Sequence, residues 1–313
     1  MPNPFGQKRY STFNAHLREV FGEKIFKVSL DGGFTCPNRD GSVAHRGCTF
    51  CSQRGSGDFA GHRRDDLAQQ FHTIKDRMHE KWKGGKYLGY FQAFSNTYAP
   101  VSELREKYEV ILEQEDVVGL SIATRPDCLP DDVLDYLTEL NERTYLWVEL
   151  GIQSIHPKTA ELINRAHDLD CFTQGVQKLR QRDINVCAHI IDGLPQETPE
   201  MMMETALEMA RQDLQGIKIH LLHLLKNTAM VKQYEEGLLQ LMSKEDYIQI
   251  VCDQLEILPS DMIIHRLTGD GPRDLLIGPE WSLKKWEVLN AIDDELERRE
   301  TWQGKQHSSP VSI

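Results

Sequence analysis

Ser29-Leu30-Asp31-Gly32-Gly33-Phe34-Thr35-Cys36-Pro37-Asn38-Arg39-Asp40-Gly41, followed by Gly47-Cys48-Thr49-Phe50-Cys51, is the stretch on which the reading of this chain turns. It opens at the end of Ile25-Phe26-Lys27-Val28-Ser29, an apolar run of strand length. From Asp31 to about His62 the chain is rich in Gly, Arg and Cys, which reads as a long loop. Cys36, Cys48 and Cys51 stand in that loop with the spacing C-x11-C-x2-C. Thiolates are soft ligands that suit zinc or an iron–sulfur centre, and three in one loop form a metal-binding pattern. A structural zinc takes four ligands, so zinc here would draw on a His such as His45 or His62. Cys128, Cys171, Cys187 and Cys252 are scattered on separate segments and read as small buried hydrophobes.

Outward from the loop, apolar strands alternate with helical patterns. Helices are expected at 65–82, 102–112 (with Ser102 as N-cap), 131–140, 171–182 and 199–211. Strands are expected at 87–91, 118–122, 145–150, 186–191 and 217–222. Continuous apolar strands alternating with helices point to an α/β fold with a parallel, helix-covered sheet. The six βα units suggest a partial (β/α)6 barrel over 1–242, whose chemistry would sit at the C-terminal strand ends. An α-rich C-terminal extension follows over 243–303. It holds a helix from Ser243 to Leu258, a strand-like Met262-Ile263-Ile264-His265 and a helix over 282–302. The tail, 304–313, is expected to be disordered.

Charge is uneven along the chain. The 36 Lys and Arg against 48 Asp and Glu give a net of −12, which by itself argues against nucleic acid. Residues 1–100, however, hold 15 basic and 9 acidic side chains, a net of +6, against −18 for the rest. The basic third either varies by chance or faces an anion. No run of membrane-spanning length is apolar, and the N-terminus lacks a signal-like apolar core. The chain is expected in the cytoplasm with no membrane partner. Its seven Cys would then be thiols or ligands, not disulfides.

The quoted motif is similar to that of the bacterial YtqA/YhcC family of radical S-adenosylmethionine (SAM) enzymes, relatives of the Elp3 radical domain. The resemblance covers roughly residues 4–300. It implies a TIM-like radical SAM barrel with a [4Fe–4S] cluster on Cys36, Cys48 and Cys51. One iron stays open to chelate the amino and carboxylate groups of S-adenosylmethionine. It further implies reductive cleavage of S-adenosylmethionine to a 5′-deoxyadenosyl radical, with a flavodoxin or ferredoxin as electron donor. The first spacing is longer than the common C-x3-C-x2-C, as in the Elp3-like branch. Phe50 would pack on the cluster.

Strand ends supply the other candidates. Ser95 and Asn96 stand where such enzymes carry a Gly-Gly-Glu-like motif for the methionine amino group, although the acid is absent here. Ala123-Thr124-Arg125-Pro126-Asp127 resembles a Thr-Arg-Pro-Asp element. Arg125 there would hold a carboxylate or brace the loop through Asp127. Glu149, Gln153, Ser154 and Asp192 are expected on the cofactor side, with Glu149 alternatively paired to Arg125 or Arg165. Lys218 and His220, two residues apart on a strand, would share one inward face beside the substrate. The loop from His265 to Gly271 would roof the site or be a surface turn.

The resemblance implies tRNA as substrate, in wobble-uridine maturation. The step would convert 5-carboxymethylaminomethyl-(2-thio)uridine to the 5-aminomethyl form. Arg39, Arg46, Arg54, Arg63 and Arg64 would then meet phosphates. The alternatives are a radical enzyme acting on a small metabolite, in the manner of an oxidative decarboxylase, and a zinc-bound interaction module.

Overall fold

The computed structural model describes residues 3–6, 8–82 and 84–307. The first half of the chain forms α1 (Phe13–Phe21), β1 (Ile25–Leu30), α2 (Pro37–Asp40), α3 (Leu67–His79), β2 (Lys86–Phe91), α4 (Val101–Leu112), β3 (Val117–Thr124), α5 (Asp131–Arg143) and β4 (Tyr145–Gln153). The second forms α6 (Pro157–Leu162), α7 (Leu169–Arg180), β5 (Asn185–Asp192), α8 (Pro199–Arg211), β6 (Gly216–Leu221) and β7 (Leu224–Leu225). It continues with α9 (Met230–Glu235), α10 (Lys244–Ile257), β8 (Ile263–Arg266), β9 (Leu276–Gly278) and α11 (Lys285–Arg298). Two compact units result: Leu17–Gly151 with Arg165–Val186, and Met1–His16 with Ile152–Asn164 and Cys187–Ile313.

In the first unit β1, β2, β3 and β4 run parallel in that order. One row across them is Val28, Gly89, Leu120 and Leu146. Parallel strands are covered on both faces, so these strands are apolar nearly throughout. Leu104, Tyr108 and Ile111 of α4 are buried at helical spacing, as are Val133, Leu134, Leu137 and Leu140 of α5. Truncating one such Leu to Ala would cost roughly 2–5 kcal/mol.

In the second unit β5, β6 and β8 are parallel, with rows Ala188–Ile217–Ile264 and His189–Lys218–Arg266. Thr12 forms a parallel bridge to Ile264. The segments β7 and β9 make an antiparallel ribbon. Met202, Ala206 and Met209 of α8 and Val288, Ile292 and Leu296 of α11 are buried.

Several boundaries differ from expectation for local reasons. Ser102 does not cap α4, because the helix starts at Val101 behind Pro100 and has no side-chain cap. The last helix starts at Lys285, after a 3-10 turn over Glu280–Leu283. The strand-like segment of the expected extension is β8, which pairs with β6 as a parallel strand beyond the expected six, so a division after 242 separates paired strands. Residues 304–307, expected in the tail, dock on the end of α10. Gly304 N bonds Leu255 O at 3.0 Å and Gln306 N bonds Glu256 O at 2.8 Å. The last carbonyls of a helix have no partner within it, and these amides supply one. The rest of the tail, 308–313, lies outside the described residues. Among the described residues no helix is long and apolar enough to cross a membrane.

Candidate functional site

Cys36 is the extended residue before α2, and Pro37 starts that helix with its φ already set. Cys48 and Cys51 face each other across a turn closed by Cys51 N to Cys48 O at 3.1 Å. All three thiols are half-buried and free. The hydrogen bond with Cys48 lowers Cys51 to about 7, against an opposing rise from burial. The same bond, then burial, raises Cys48, which also feels the charge of Cys36. One thiol of the pair is thus close to the thiolate, the form that binds metal. Asn38 Nδ2 donates to Cys48 Sγ at 3.5 Å, and Ser56 Oγ lies 3.6 Å from Cys51 Sγ. Among the described residues no three His, Cys, Asp or Glu are gathered around a single-ion site. Three thiols of one loop, within one another's electrostatic reach, fit three corners of a larger cluster.

Arginines hold this loop. Arg39 Nη2 donates to Ser52 O at 2.5 Å and Cys51 O at 3.4 Å. Arg54 donates to the carbonyls of Asp58, Ala60 and Gly61. Arg63 Nη2 donates to Gly33 O at 2.6 Å and Phe34 O at 3.0 Å. The guanidinium carbons of Arg39 and Arg63 both lie 5.2 Å from the ring centroid of Phe94. These three were expected at phosphates and instead satisfy carbonyls that an irregular loop leaves without strand or helix partners. Arg46 and Arg64 are exposed and make no such contact among the described residues. Gly55 (φ +58°) lets the loop close on Phe94, whose ring would stand 2.4 Å from a Cβ there.

The segment after β2 packs under the loop. Ser95 N bonds Thr35 O at 3.1 Å, and Phe94 is held at φ +64°. Asn96 Nδ2 donates to Phe91 O and Ala123 O, and Tyr108 donates its hydroxyl to Asn96 O. Ser95 Oγ and Asn96 Oδ1 are buried with no hydrogen-bond partner. Two such acceptors beside the cysteine loop suit a donor-rich group such as an ammonium.

Of the two expectations for Arg125, the loop brace is the arrangement seen. Arg125 grips Asp127 with a two-bond fork at 2.8 and 2.7 Å and gives Nη1 to Arg165 O at 2.8 Å. Burial works against its charge, but Asp127 more than compensates and the guanidinium stays charged. With its donors so directed, Arg125 braces the loop and does not offer a free fork to a substrate carboxylate. Glu149, 1% exposed, accepts Lys27 Nζ at 2.5 Å and Ser121 Oγ at 2.5 Å. Arg165 donates Nε and Nη2 to His167 O at 2.9 and 2.7 Å. Lys27 was missed, although a lone charge in a short apolar strand is the same signal that singled out Glu149. Asn38 had no sequence signal, since nothing local marks an amide that will reach a sulfur.

In the second unit, Gln153 ends β4 at φ +59°. Ser154 is buried and holds the turn, bonding Glu197 and accepting His156 N at 3.1 Å. Asp192, at the end of β5, accepts Gln254 Nε2 of α10 at 2.8 Å, and the same amide also donates to Met202 O of α8. Burial, chiefly, raises its carboxyl to about 7. Lys218 and His220, two residues apart on β6, share one face of the strand, with His189 beside Lys218 in register and its ring 5.2 Å from that of His220.

Residues 41–209 match the radical SAM superfamily, and 214–298 match its C-terminal domain. The uncharacterized protein YtqA of Bacillus subtilis is 68% identical over 307 residues, spanning 97% of this chain and 95% of YtqA. Protein YhcC of Escherichia coli is 38% identical over 291 residues, 92% of each. A tRNA uridine(34) acetyltransferase of Methanocaldococcus infernus is 24% identical over 163 residues, 51% of this chain and 30% of that one. Among solved structures, Elp3 of Methanocaldococcus infernus superposes with a TM-score of 0.65 at 15% identity, covering 89% of this chain and 64% of that one. That likeness shows the fold, the partial (β/α) barrel of α/β class.

Proposed function

The chain belongs to the radical SAM superfamily and, within it, to the family of YtqA and YhcC, and from that premise we propose that it matures the wobble uridine of tRNA. It is a radical SAM enzyme, and its cofactors are a [4Fe–4S] cluster and S-adenosylmethionine. In our reading the reaction converts 5-carboxymethylaminomethyl-(2-thio)uridine to 5-aminomethyl-(2-thio)uridine. When bound, the cluster supplies the electron that cleaves S-adenosylmethionine into methionine and a hydrogen-abstracting 5′-deoxyadenosyl radical.

The residues divide the remaining work. Cys36, Cys48 and Cys51 would hold the cluster, with the Asn38 amide at Cys48 Sγ and Phe50 beside it. The unpartnered oxygens of Ser95 and Asn96 would take the ammonium of S-adenosylmethionine. Arg125 positions the loop through Asp127 and Arg165 O. Lys218 and His220 would line the substrate side, where an imidazole can carry the protons of hydrolysis.

The substrate chemistry has a clear weak point. Its CH2 lies between nitrogen and carboxylate, so a radical there is stabilised by both. Loss of that hydrogen, then of one electron to the flavodoxin- or ferredoxin-like partner, leaves an imine. Water adds, the C–N bond breaks, and the amine and glyoxylate depart. The observation that carries the tRNA reading is the cysteine-bearing segment itself, in which Arg46, His62 and Arg64 are each exposed to solvent. The name of the acetyltransferase relative, which acts on uridine 34 of tRNA, agrees with it. Deuterating the CH2 should move label into 5′-deoxyadenosine, and unlabelled 5′-deoxyadenosine alongside product would sink the mechanism.

A further inference from the structure

The loop after β8 takes no part in this chemistry, yet it gathers unsatisfied donors. His223 directly precedes β7, and the loop leads into β9. Pairing of Leu224 with Gly278 and of Leu225 with Leu276 therefore clamps His223 to the loop. The imidazole lies against its glycines. A Cβ on Gly269 would stand 3.3 Å from His223 Cε1 and 3.8 Å from Arg266 Nη1, and one on Gly271 would stand 3.4 Å from His223 Cδ2. His223 Nε2 is buried and has no hydrogen-bond partner. Burial lowers His223 to about 4, with Asp270 and Arg266 acting in opposite senses, so the ring is neutral near neutral pH.

Arg266 is half-buried, and among the described residues its guanidinium makes no ion pair and no hydrogen bond. Asp270, the acid of this loop that His223 feels, is held by Lys285 at 3.2 Å. The main-chain N–H groups of Gly269 and Gly271 make no backbone hydrogen bond among the described residues. Lys218 is the register neighbour of Arg266 on β6 and adds positive charge to the same face. A guanidinium, an imidazole and glycyl amides whose nearby acid, Asp270, is already held by Lys285 are completed by an oxyanion. Parallel βα barrels commonly bind phosphate at the loop after a late strand, through amides of this kind.

We propose that Arg266, His223 and the Gly269–Gly271 loop form an oxyanion site that seats a phosphate or a carboxylate of the substrate. This deepens the proposed function and rests on it in one respect, that the substrate is anionic. The test is titration calorimetry on the reconstituted, cluster-containing protein with three probes: inorganic phosphate, the 5-carboxymethylaminomethyluridine nucleoside, and S-adenosylmethionine. Arg266→Ala should weaken phosphate or nucleoside binding by about tenfold or more, and the probe affected tells which oxyanion is seated. S-adenosylmethionine binding should not change. Arg266→Lys keeps charge without the fork and should recover only part of the loss. Gly269→Ala adds a methyl between imidazole and guanidinium without removing either group, and should weaken the same probe. The proposal is overturned if wild type binds neither anionic probe, if Arg266→Ala binds both as wild type does, or if S-adenosylmethionine affinity falls instead. Binding is read independently of the radical reaction. Failure of deuterium transfer with anion binding intact would sink the proposed reaction alone, and transfer with Arg266 irrelevant would sink the oxyanion site alone.

Discussion

Two arginine-bearing loops, one in each unit, put their guanidinium groups to opposite uses. In the cysteine loop, Arg39, Arg54 and Arg63 turn onto main-chain carbonyls. After β8, Arg266 meets neither a carbonyl nor a carboxylate among the described residues. The difference follows from how each loop is held. The long cysteine loop has little regular structure, so its carbonyls need donors from side chains, and one arginine can satisfy several. The loop after β8 is short and clamped by the ribbon of β7 and β9, so it needs no such brace. Basic residues near a site therefore do not count phosphates. What matters is whether their donors are already taken.

The largest effect that would break the comparison is loss of the cluster itself. Cys51→Ala should abolish bound iron, the visible iron–sulfur absorption and all turnover, while Arg266→Ala keeps iron and absorption. A cluster retained in Cys51→Ala would remove the cysteine loop from the centre of the account.

Next comes the buried pair of the first unit. Glu149→Ala leaves the Lys27 ammonium facing a site whose acid is gone and should cost about 3 kcal/mol in urea unfolding. The double variant Lys27→Met with Glu149→Leu should recover most of it. A loss below roughly 1 kcal/mol for Glu149→Ala would show that the pair adds little.

Asp192, at the end of β5, extends the comparison in the second unit. Its folded carboxyl titrates at about 7, above the ordinary value near 3.9, because it is buried. The folded state therefore keeps a proton that the unfolded chain loses first. The associated stability is full below about pH 4 and declines as pH rises to about 7. Asp192→Asn should flatten that decline in denaturant midpoints measured at acid and neutral pH, with S-adenosylmethionine affinity unchanged. A drop in that affinity would put Asp192 on the cofactor side.

The smallest effect separates the two loops directly. Arg54→Ala strips donors from three carbonyls and should cost about 1–3 kcal/mol and speed proteolysis of the cysteine loop. Arg266→Ala should leave unfolding within about 0.5 kcal/mol of wild type. Equal costs for the two would erase the distinction.

The order of strands and helices was legible because hydrophobic period is local: 199–211 was read as a helix and is α8 to the residue. The three cysteines stood out as candidate ligands because a metal-binding pattern is a matter of residue type and spacing. Element ends were less so, since Pro100 and the turn over Glu280–Leu283 act through backbone geometry that residue type only hints at. The place of β8 was missed because a four-residue strand carries almost no periodicity, and pairing with β6 decides its role.

What the sequence by itself determined is therefore the class of the molecule: alternating strands and helices, a soft-ligand loop after the first strand, and a basic N-terminal third. What only the tertiary structure decided is which charges are already matched. Lys27 and Glu149 are 122 residues apart and meet because β1 and β4 belong to one sheet. Arg39, Arg54 and Arg63 find carbonyls that only the folded loop presents, and Arg266 finds none. An electrostatic partner is set by distance in space, and distance in space is what the order of residues does not state.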